Sequence, residues 1–310
     1  MARLYRAMGR SEEAKRLTES SLELTRSLLE ETSIILSERQ QLAMNQMLRY
    51  RLDSYLSLAL DGDTFRSEAA REVLQWKGAT LVRQRGMRLA AEEPGIAVHF
   101  AELQQISRQL ASLSRATPTG DLVTWKQRIT KLTTDKERLE SQLSRDSAAF
   151  RSATQQITPK QIQAAIPDDA VLIDFLQFGR SRLTQEKGKT TSTTSLLAVV
   201  LKGSGEPQLI ELEAIAPLSE AIDTWRQTFG MSPQGKQAGL AIRKQIWKPL
   251  LEYIGDPDKV LVSTDGVLGR LPLGALPGSE PGKFLLEDHH LAMIPVPQLL
   301  PAVVLSLIHI

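Results

Sequence analysis

The first half of the chain carries its apolar residues at helical intervals. From Ala2 to about position 150, apolar side chains recur at spacings of three and four, which is typical of helices that each bury one stripe. Glycine, proline and aspartate cluster at 61–63, 93–95 and 117–120, where helix breaks are predicted. We therefore expect about four or five helices in this half.

The clearest helix is predicted from Leu122 onward. A helix of about 30 residues, partly coiled-coil-like, satisfies the spacing of its apolar residues. One face collects Leu122, Trp125, Ile129, Leu132, Leu139 and Leu143, and Lys136 fills the one polar position of the series. We interpret this segment as a packing helix with a solvated charged face.

The periodicity changes after residues 167–169. Thr158 and Gln161 match a capping box, and Pro159 stands at the first helical position, so a short helix is predicted there. Residues 170–176 then form a short and nearly continuous apolar run, which is typical of a buried strand. A domain boundary is therefore expected near 155–168.

Strands and helices are predicted together in the second half. Further strands are predicted at 196–201, 208–212, 259–262 and 291–294, and helices at 219–229 and 236–253. This mixture indicates an α/β layer structure. Residues 181–195 are rich in Lys, Thr, Ser and Gly, so a mobile polar hairpin loop or insertion is expected between the first two strands.

Composition and charge exclude several partner classes. The 310 residues include 42% hydrophobic residues, and 38 Lys and Arg balance 36 Asp and Glu with the signs interspersed. Such a balance creates no broad field for nucleic acid or an anionic membrane. No window approaches the roughly 20 apolar residues that span a bilayer, and no secretory leader is recognised. We expect a cytoplasmic protein of two domains without nucleic-acid or membrane partners.

Catalytic motifs are scarce. The sequence has no cysteine, so within these residues it offers no disulfide, thiolate metal site or thiol nucleophile. It also lacks a phosphate-binding loop, a dinucleotide-binding glycine motif, His-Glu-x-x-His and Gly-x-Ser-x-Gly. No cofactor is expected. Asp174 is interpreted as an acid paired with neighbouring groups rather than as a catalytic carboxylate, and core packing is expected for Trp76, Trp125, Trp225 and Trp247.

The histidines do not suggest a metal site. His289 and His290 are adjacent on a predicted strand, so their side chains point to opposite faces and cannot readily bind one ion. His99 is expected to be a partly buried helix residue. His309 has no cysteine to activate and is not expected to be catalytic.

The extreme N-terminus resembles the second half of a tetratricopeptide repeat (TPR). Ala2, Tyr5, Gly9 and Ala14 occupy the small and aromatic positions of that repeat. A glycine turn and a small alanine let two antiparallel helices approach closely. A single repeat needs neighbours to bury its apolar face, so we expect a longer solenoid and a protein partner bound through helical repeats.

A second segment resembles the CHAT domains of the caspase and separase clan. Residues 260–278 and 284–288 match the family's strand, Asp-Gly turn, Leu-x-x-Leu-Pro-x-x-Ala-Leu and Leu-Leu-Glu-Asp series. Glycine at such a tight turn can take a positive φ, and the leucines can anchor the following segment in the core. The motif residues, interpreted as structural rather than catalytic, are Asp265, Gly266, Leu268, Leu271, Pro272, Ala275 and Leu276.

Other matching features occur in the family's order, among them the Trp76-Lys77 pair, the Ile173-Asp174-Phe175 strand and the Trp247-Lys248-Pro249-Leu250 helix. The resemblance implies an α-helical N-terminal region followed by an incomplete caspase-like α/β/α domain. The expected boundaries are 1–30 for the partial repeat, 31–157 for a helical linker region and 158–304 for the CHAT portion.

The resemblance also implies a function. The intact parent would be a cysteine endopeptidase with a His in a His-Gly context and then a Cys, both beyond the matched region. We expect no peptidase activity from these residues alone. Residues 305–310 match a translated sequencing adapter, so native sequence is expected to end near Val304. The alternative is a non-enzymatic scaffold with a degenerate CHAT module, and sequence past Val304 would separate the two.

Overall fold

Helices dominate the chain as far as residue 146. The computed structural model describes residues 1–32, 38–62, 64–93, 95–115, 121–147, 157–184, 186, 189–255 and 257–308. Up to residue 147, the described residues form seven helices: α1 (Ala2–Ala7), α2 (Ser11–Thr32), α3 (Glu38–Ala59), α4 (Arg66–Trp76), α5 (Ala79–Glu92), α6 (Ala97–Arg115) and α7 (Leu122–Asp146).

The helix count exceeds the predicted four or five. Two breaks lie outside the predicted clusters: Gly9, which is the glycine turn of the TPR-like segment, and Gly78, which was not predicted, at φ values of +72° and +85°. Glycine adopts this left-handed conformation without the penalty that a side chain incurs. Of the predicted breaks, residues 63, 94 and 117–120 lie outside the described part of the chain.

The predicted helix from Leu122 is present, with 25 residues. Only the second half of its apolar stripe is core: Leu139 and Leu143 are buried with Phe100 of α6, whereas Leu122 is 56% exposed. Coiled-coil packing along the whole stripe is therefore not observed, because its first residues are not covered.

The chain divides into two compact units. One joins Met1–Leu22, Arg49–Gly78 and Ile157–Ile310, and the other joins Glu23–Leu48 and Ala79–Gln156. The sequence-based boundaries follow the chain, whereas these units combine separate segments. Residues 49–78 of the helical half thus pack with the strands.

A five-stranded mixed sheet forms the centre of the first unit, in the order β3-β2-β1-β4-β5. Strand β1 pairs antiparallel with β2 and parallel with β4, while β2 pairs antiparallel with β3 and β4 parallel with β5. The strands are β1 (Ala170–Leu183), β2 (Thr190–Lys202), β3 (Gln208–Ala214), β4 (Lys259–Ser263) and β5 (His290–Met293).

Residues 181–195 correct the sequence-based prediction. They were expected to form a mobile loop, but β1 continues to Leu183 and β2 begins at Thr190, with Ser181 opposite Ser192. The β-branched threonines of this stretch favour an extended, paired backbone despite their polarity. The predicted strands at 170–176 and 196–201 are therefore the buried inner parts of a longer ribbon.

The remaining helices of the first unit are α8 (Pro159–Ala164), α9 (Ile215–Gln227), α10 (Pro233–Ile246), α11 (Leu251–Ile254), α12 (Leu285–Asp288) and α13 (Leu300–Ile308). The capping box of Thr158 and Gln161 is confirmed at the start of α8. The continuous helix predicted at 236–253 is wrong: α10 ends at Ile246 and a 3₁₀ turn follows over Lys248–Leu250. Pro249 has no N–H for a continuing α-helix.

Helices cover both faces of the sheet. Val171, Ile173 and Phe175 of β1 share a core with α9 and α10, including Ile222 and Ile242. Alternate residues of β1 face the other side, where the C-terminal part of α3 and the end of α4 lie. Burial on both faces explains why the inner part of β1 is almost entirely apolar. Among the described residues, none of the helices combines the length and apolar character needed to cross a membrane.

Candidate functional site

Three polar side chains meet in the interior of the first unit. Lys77 Nζ donates to Asp174 Oδ1 at 2.5 Å and to Ser263 Oγ at 2.8 Å. A third hydrogen bond, 2.7 Å long, reaches the carbonyl oxygen of Phe175. Asp174 and Ser263 are 0% exposed and the Lys77 side chain is 9% exposed, so the group is shielded from water. We call Lys77, Asp174 and Ser263 the buried polar cluster.

The end of α4 directs Lys77 toward the sheet. Lys77 leaves the helix in an extended conformation, and Gly78 then turns back with a φ of +85°. A Cβ at Gly78 would lie 2.6 Å from the Cβ of Val296, so only glycine fits. Gln298 Nε2 donates to the carbonyl oxygens of Leu74 and Gln75, which caps the helix end.

Parallel strand pairing brings the two sheet residues together. Asp174 of β1 stands opposite Ser263, the last residue of β4. Immediately beyond, Asp265 Oδ2 accepts the backbone N–H of Gln177 at 2.9 Å and ties the turn to β1. Gly266 takes a φ of +56°, and a Cβ there would lie 1.9 Å from Gln177 Oε1. The Asp-Gly turn thus needs both its carboxylate and its glycine.

Burial raises the pKa of Asp174, and the Lys77 ammonium opposes this shift. Its second oxygen, Oδ2, has no hydrogen-bond partner among the described residues. A buried carboxylate with one unsatisfied oxygen depends on its single cationic partner.

The arrangement is a clamp between the end of α4 and the sheet. An ammonium group has three N–H donors, and those of Lys77 are taken by Asp174, Phe175 and Ser263. What the cluster does is fix the end of α4 to the carboxyl end of β4.

A second set of polar contacts was missed by sequence reasoning. Arg180 is 4% exposed and pairs with Asp61 at 3.0 Å and Glu211 at 2.8 Å. Asp53 of α3 accepts the backbone N–H of Gly179 at 3.0 Å, and burial raises its pKa against the opposing effect of Arg49. These contacts join α3 and the turn after it to β1, and β1 to β3. Sequence reasoning missed them because Arg180 lies between the predicted strand at 170–176 and the predicted polar loop at 181–195, where no element was assigned.

The CHAT-like motif residues surround the Asp265-Gly266 turn. After the turn, 3₁₀ helices at Gly266–Arg270 and Leu273–Ala275 lay the segment across the core. Pro272 precedes the second 3₁₀ helix, and Ala275 is half-buried. The buried anchors of this segment are Leu268, Leu271, Leu273 and Leu276.

The TPR-like residues form a short helical hairpin. Ala2 and Tyr5 lie on α1, Gly9 forms the turn at a φ of +72°, and Ala14 is fully buried on α2. The guanidinium of Arg10 lies 4.6 Å from the centre of the Tyr5 ring. This geometry brings two helices together, and its assignment to a TPR stays a prediction.

The other singled-out residues occupy varied positions. Asp174 is paired, as the sequence interpretation favoured. His290 is exposed on β5 beside Asp258, and His289 contacts the carbonyl oxygen of Pro257 at 3.1 Å. His99 is half-buried in α6, and His309 lies outside the described residues. Over the described ranges, no three acidic or histidine side chains are grouped to hold a metal ion. Of the tryptophans, Trp76, Trp225 and Trp247 are buried and Trp125 is half-buried.

The sequence matches no protein-family model, and no curated protein matches it.

Proposed function

We propose that this chain forms the part of a CHAT-type cysteine peptidase domain that supports the active site. Its N-terminal helices bind a protein partner. The observation that carries the proposal is the convergence of three separate segments of the resemblance. Lys77 of the Trp-Lys pair, Asp174 of the first strand and Ser263 beside the Asp-Gly turn meet in the buried polar cluster. Lys77 and Ser263 are separated by 186 residues, so only the tertiary structure brings them together.

The position of the buried polar cluster supports an active-site scaffold. In open α/β sheets, ligands bind outside the carboxyl ends of the strands. The cluster holds the carboxyl end of β4 against β1, and β5 continues the sheet in parallel with three of its four residues exposed. Among the described strands, β5 has no partner on its outer side. A further parallel strand there would bring its carboxyl end to the same edge.

The test is to sequence the gene in its source genome past codon 304 and to purify the protein that the whole reading frame encodes. We expect a frame that continues into His-Gly and then a Cys after a strand-length apolar run, with peptide cleavage that is lost on substitution of the Cys. In that product, Gly266→Ala should lower cleavage and Gly269→Ala should not, because a Cβ at Gly269 meets open space. A frame lacking either catalytic residue overturns the peptidase proposal.

The second candidate is a non-enzymatic scaffold. It is favoured by the buried polar cluster, whose hydrogen bonds link α4, β1 and β4 and thereby stabilise the unit. A complete product that folds and carries the helices but lacks cleavage activity supports this candidate.

A further inference from the structure

A cavity of about 830 Å³ opens in the first unit, separate from the buried polar cluster. Its walls come from the end of α9, the exposed side of α10 and the segment before α12. Pockets for small ligands usually measure about 300–1,000 Å³ and are mostly apolar. The apolar lining residues are Trp225, Phe229, Met231, Leu240, Pro277 and Phe284.

The wall formed by residues 277–284 is held in place before any ligand arrives. Pro277 and Phe284 form a β-bridge, and Gly278 N–H donates to the Lys283 carbonyl oxygen at 2.8 Å. Gly282 closes the turn with a φ of +88°. The backbone N–H of Ser279 donates to Asp288 at 2.6 Å. A preorganised wall reduces the entropy that binding must overcome.

Two large apolar residues of the cavity are left in water. Phe229 is 82% exposed and Met231 is 78% exposed, although both line the cavity. Phe229 also has a φ of +50°, in the left-handed region that a bulky residue rarely adopts. Such strain clusters at ligand-binding positions. Within this fold the exposed phenyl ring buries little apolar surface. Its placement therefore favours contact with a bound molecule.

The cavity lining carries more unpaired positive charge than negative charge. Lys283 pairs with Glu280 at 2.9 Å. Lys236 and Arg243 of α10 also line the cavity, and within the described residues neither makes an ion pair. The Arg243 Nε atom is buried without an acceptor. Two cations therefore remain available beside an apolar surface.

We propose that this cavity binds a small amphipathic anion, with an alkyl chain or ring system against the apolar wall and a carboxylate beside Lys236 and Arg243. An apolar body would cover Phe229 and Met231, which water now surrounds. A carboxylate would supply acceptors for the guanidinium group. This proposal does not depend on peptidase function, so either can fail alone.

The test is isothermal titration of the full chain with dodecanoate below its micellar concentration. We expect saturable binding of one dodecanoate and at least tenfold weaker binding of dodecyltrimethylammonium, which has the same chain and the opposite charge. The single variants Lys236→Gln and Arg243→Gln should each weaken dodecanoate binding about tenfold, which corresponds to about 1.4 kcal/mol. Lys244→Gln, on the same helix but outside the lining, is the matched control.

The apolar wall is tested with Met231→Gln, which should weaken dodecanoate at least fivefold. Leu251→Gln is its control, because Leu251 is 40% exposed and lies outside the cavity. Circular dichroism checks that each variant stays folded. The proposal is overturned if dodecanoate does not bind, if the cationic ligand binds equally well, or if the control variants lose as much affinity as the lining variants.

Discussion

The buried polar cluster predicts a large effect of Lys77→Met. Methionine keeps the length and apolar stem of the side chain but removes the charge that faces Asp174. The Asp174 carboxylate would then remain at 0% exposure with no cation beside it. Removing one partner of a buried ion pair typically costs about 3–5 kcal/mol, because the remaining charge is uncompensated.

The double variant Lys77→Met/Asp174→Leu distinguishes the effect of the uncompensated Asp174 charge from a simple loss of packing. Replacement of both partners by apolar groups removes the buried charge altogether, and such replacements are often neutral or stabilising. We expect the double variant to recover most of the free energy of unfolding that Lys77→Met loses. Urea unfolding, followed by circular dichroism and tryptophan fluorescence, measures both variants.

The effect should depend on pH in a defined direction. Burial raises the pKa of Asp174, and without Lys77 the opposing influence is gone. A carboxyl group whose folded pKa exceeds its unfolded value of about 3.9 binds protons more tightly in the native state. Its favourable contribution is present below about pH 3.9 and is lost as the pH rises through the raised pKa. The difference in the free energy of unfolding between wild type and Lys77→Met should therefore narrow as the pH falls through the raised pKa of Asp174.

The matched control is Lys259→Met. Lys259 and Asp169 form an ion pair at 2.5 Å, yet both side chains are 49% exposed. Water solvates Asp169 when its partner is removed, so stability should change little. The clamp interpretation is refuted if Lys77→Met is as stable as wild type at pH 8, or if the double variant is no more stable than Lys77→Met.

Three further predictions concern other parts of the chain. Gly266→Ala should cost about 1–3 kcal/mol or more of unfolding free energy from its positive φ alone, measured in urea, and an equal loss in Gly269→Ala would contradict the role of the turn. Leu139→Ala should cost about 2–5 kcal/mol, and the same assay should show little change for the exposed Leu122→Ala. Backbone amides of residues 190–195 that pair with β1 should be protected in hydrogen exchange, and exchange at the rate of an unstructured chain would contradict the ribbon.

Local sequence signals predicted the elements whose causes are local. The capping box at Thr158 and the apolar run after residue 170 depend on neighbouring residues, and both elements are present. The ribbon beyond Phe178 was missed because its polar residues satisfy their backbone groups through a partner strand, which a composition-based interpretation does not include. Pro249 interrupted a helix that periodicity alone treated as continuous.

The sequence by itself determined the helical first half, the mixed second half, the balanced charge and the absence of cysteine. Tertiary structure alone decided that residues 49–78 pack with the strands and that Lys77 contacts Asp174 and Ser263. It also decided which residues line the cavity. The physical reason is the separation along the sequence over which each interaction acts. Caps and apolar periodicity act within a few residues, whereas a buried ion pair joins groups that only the completed sheet brings within hydrogen-bond distance.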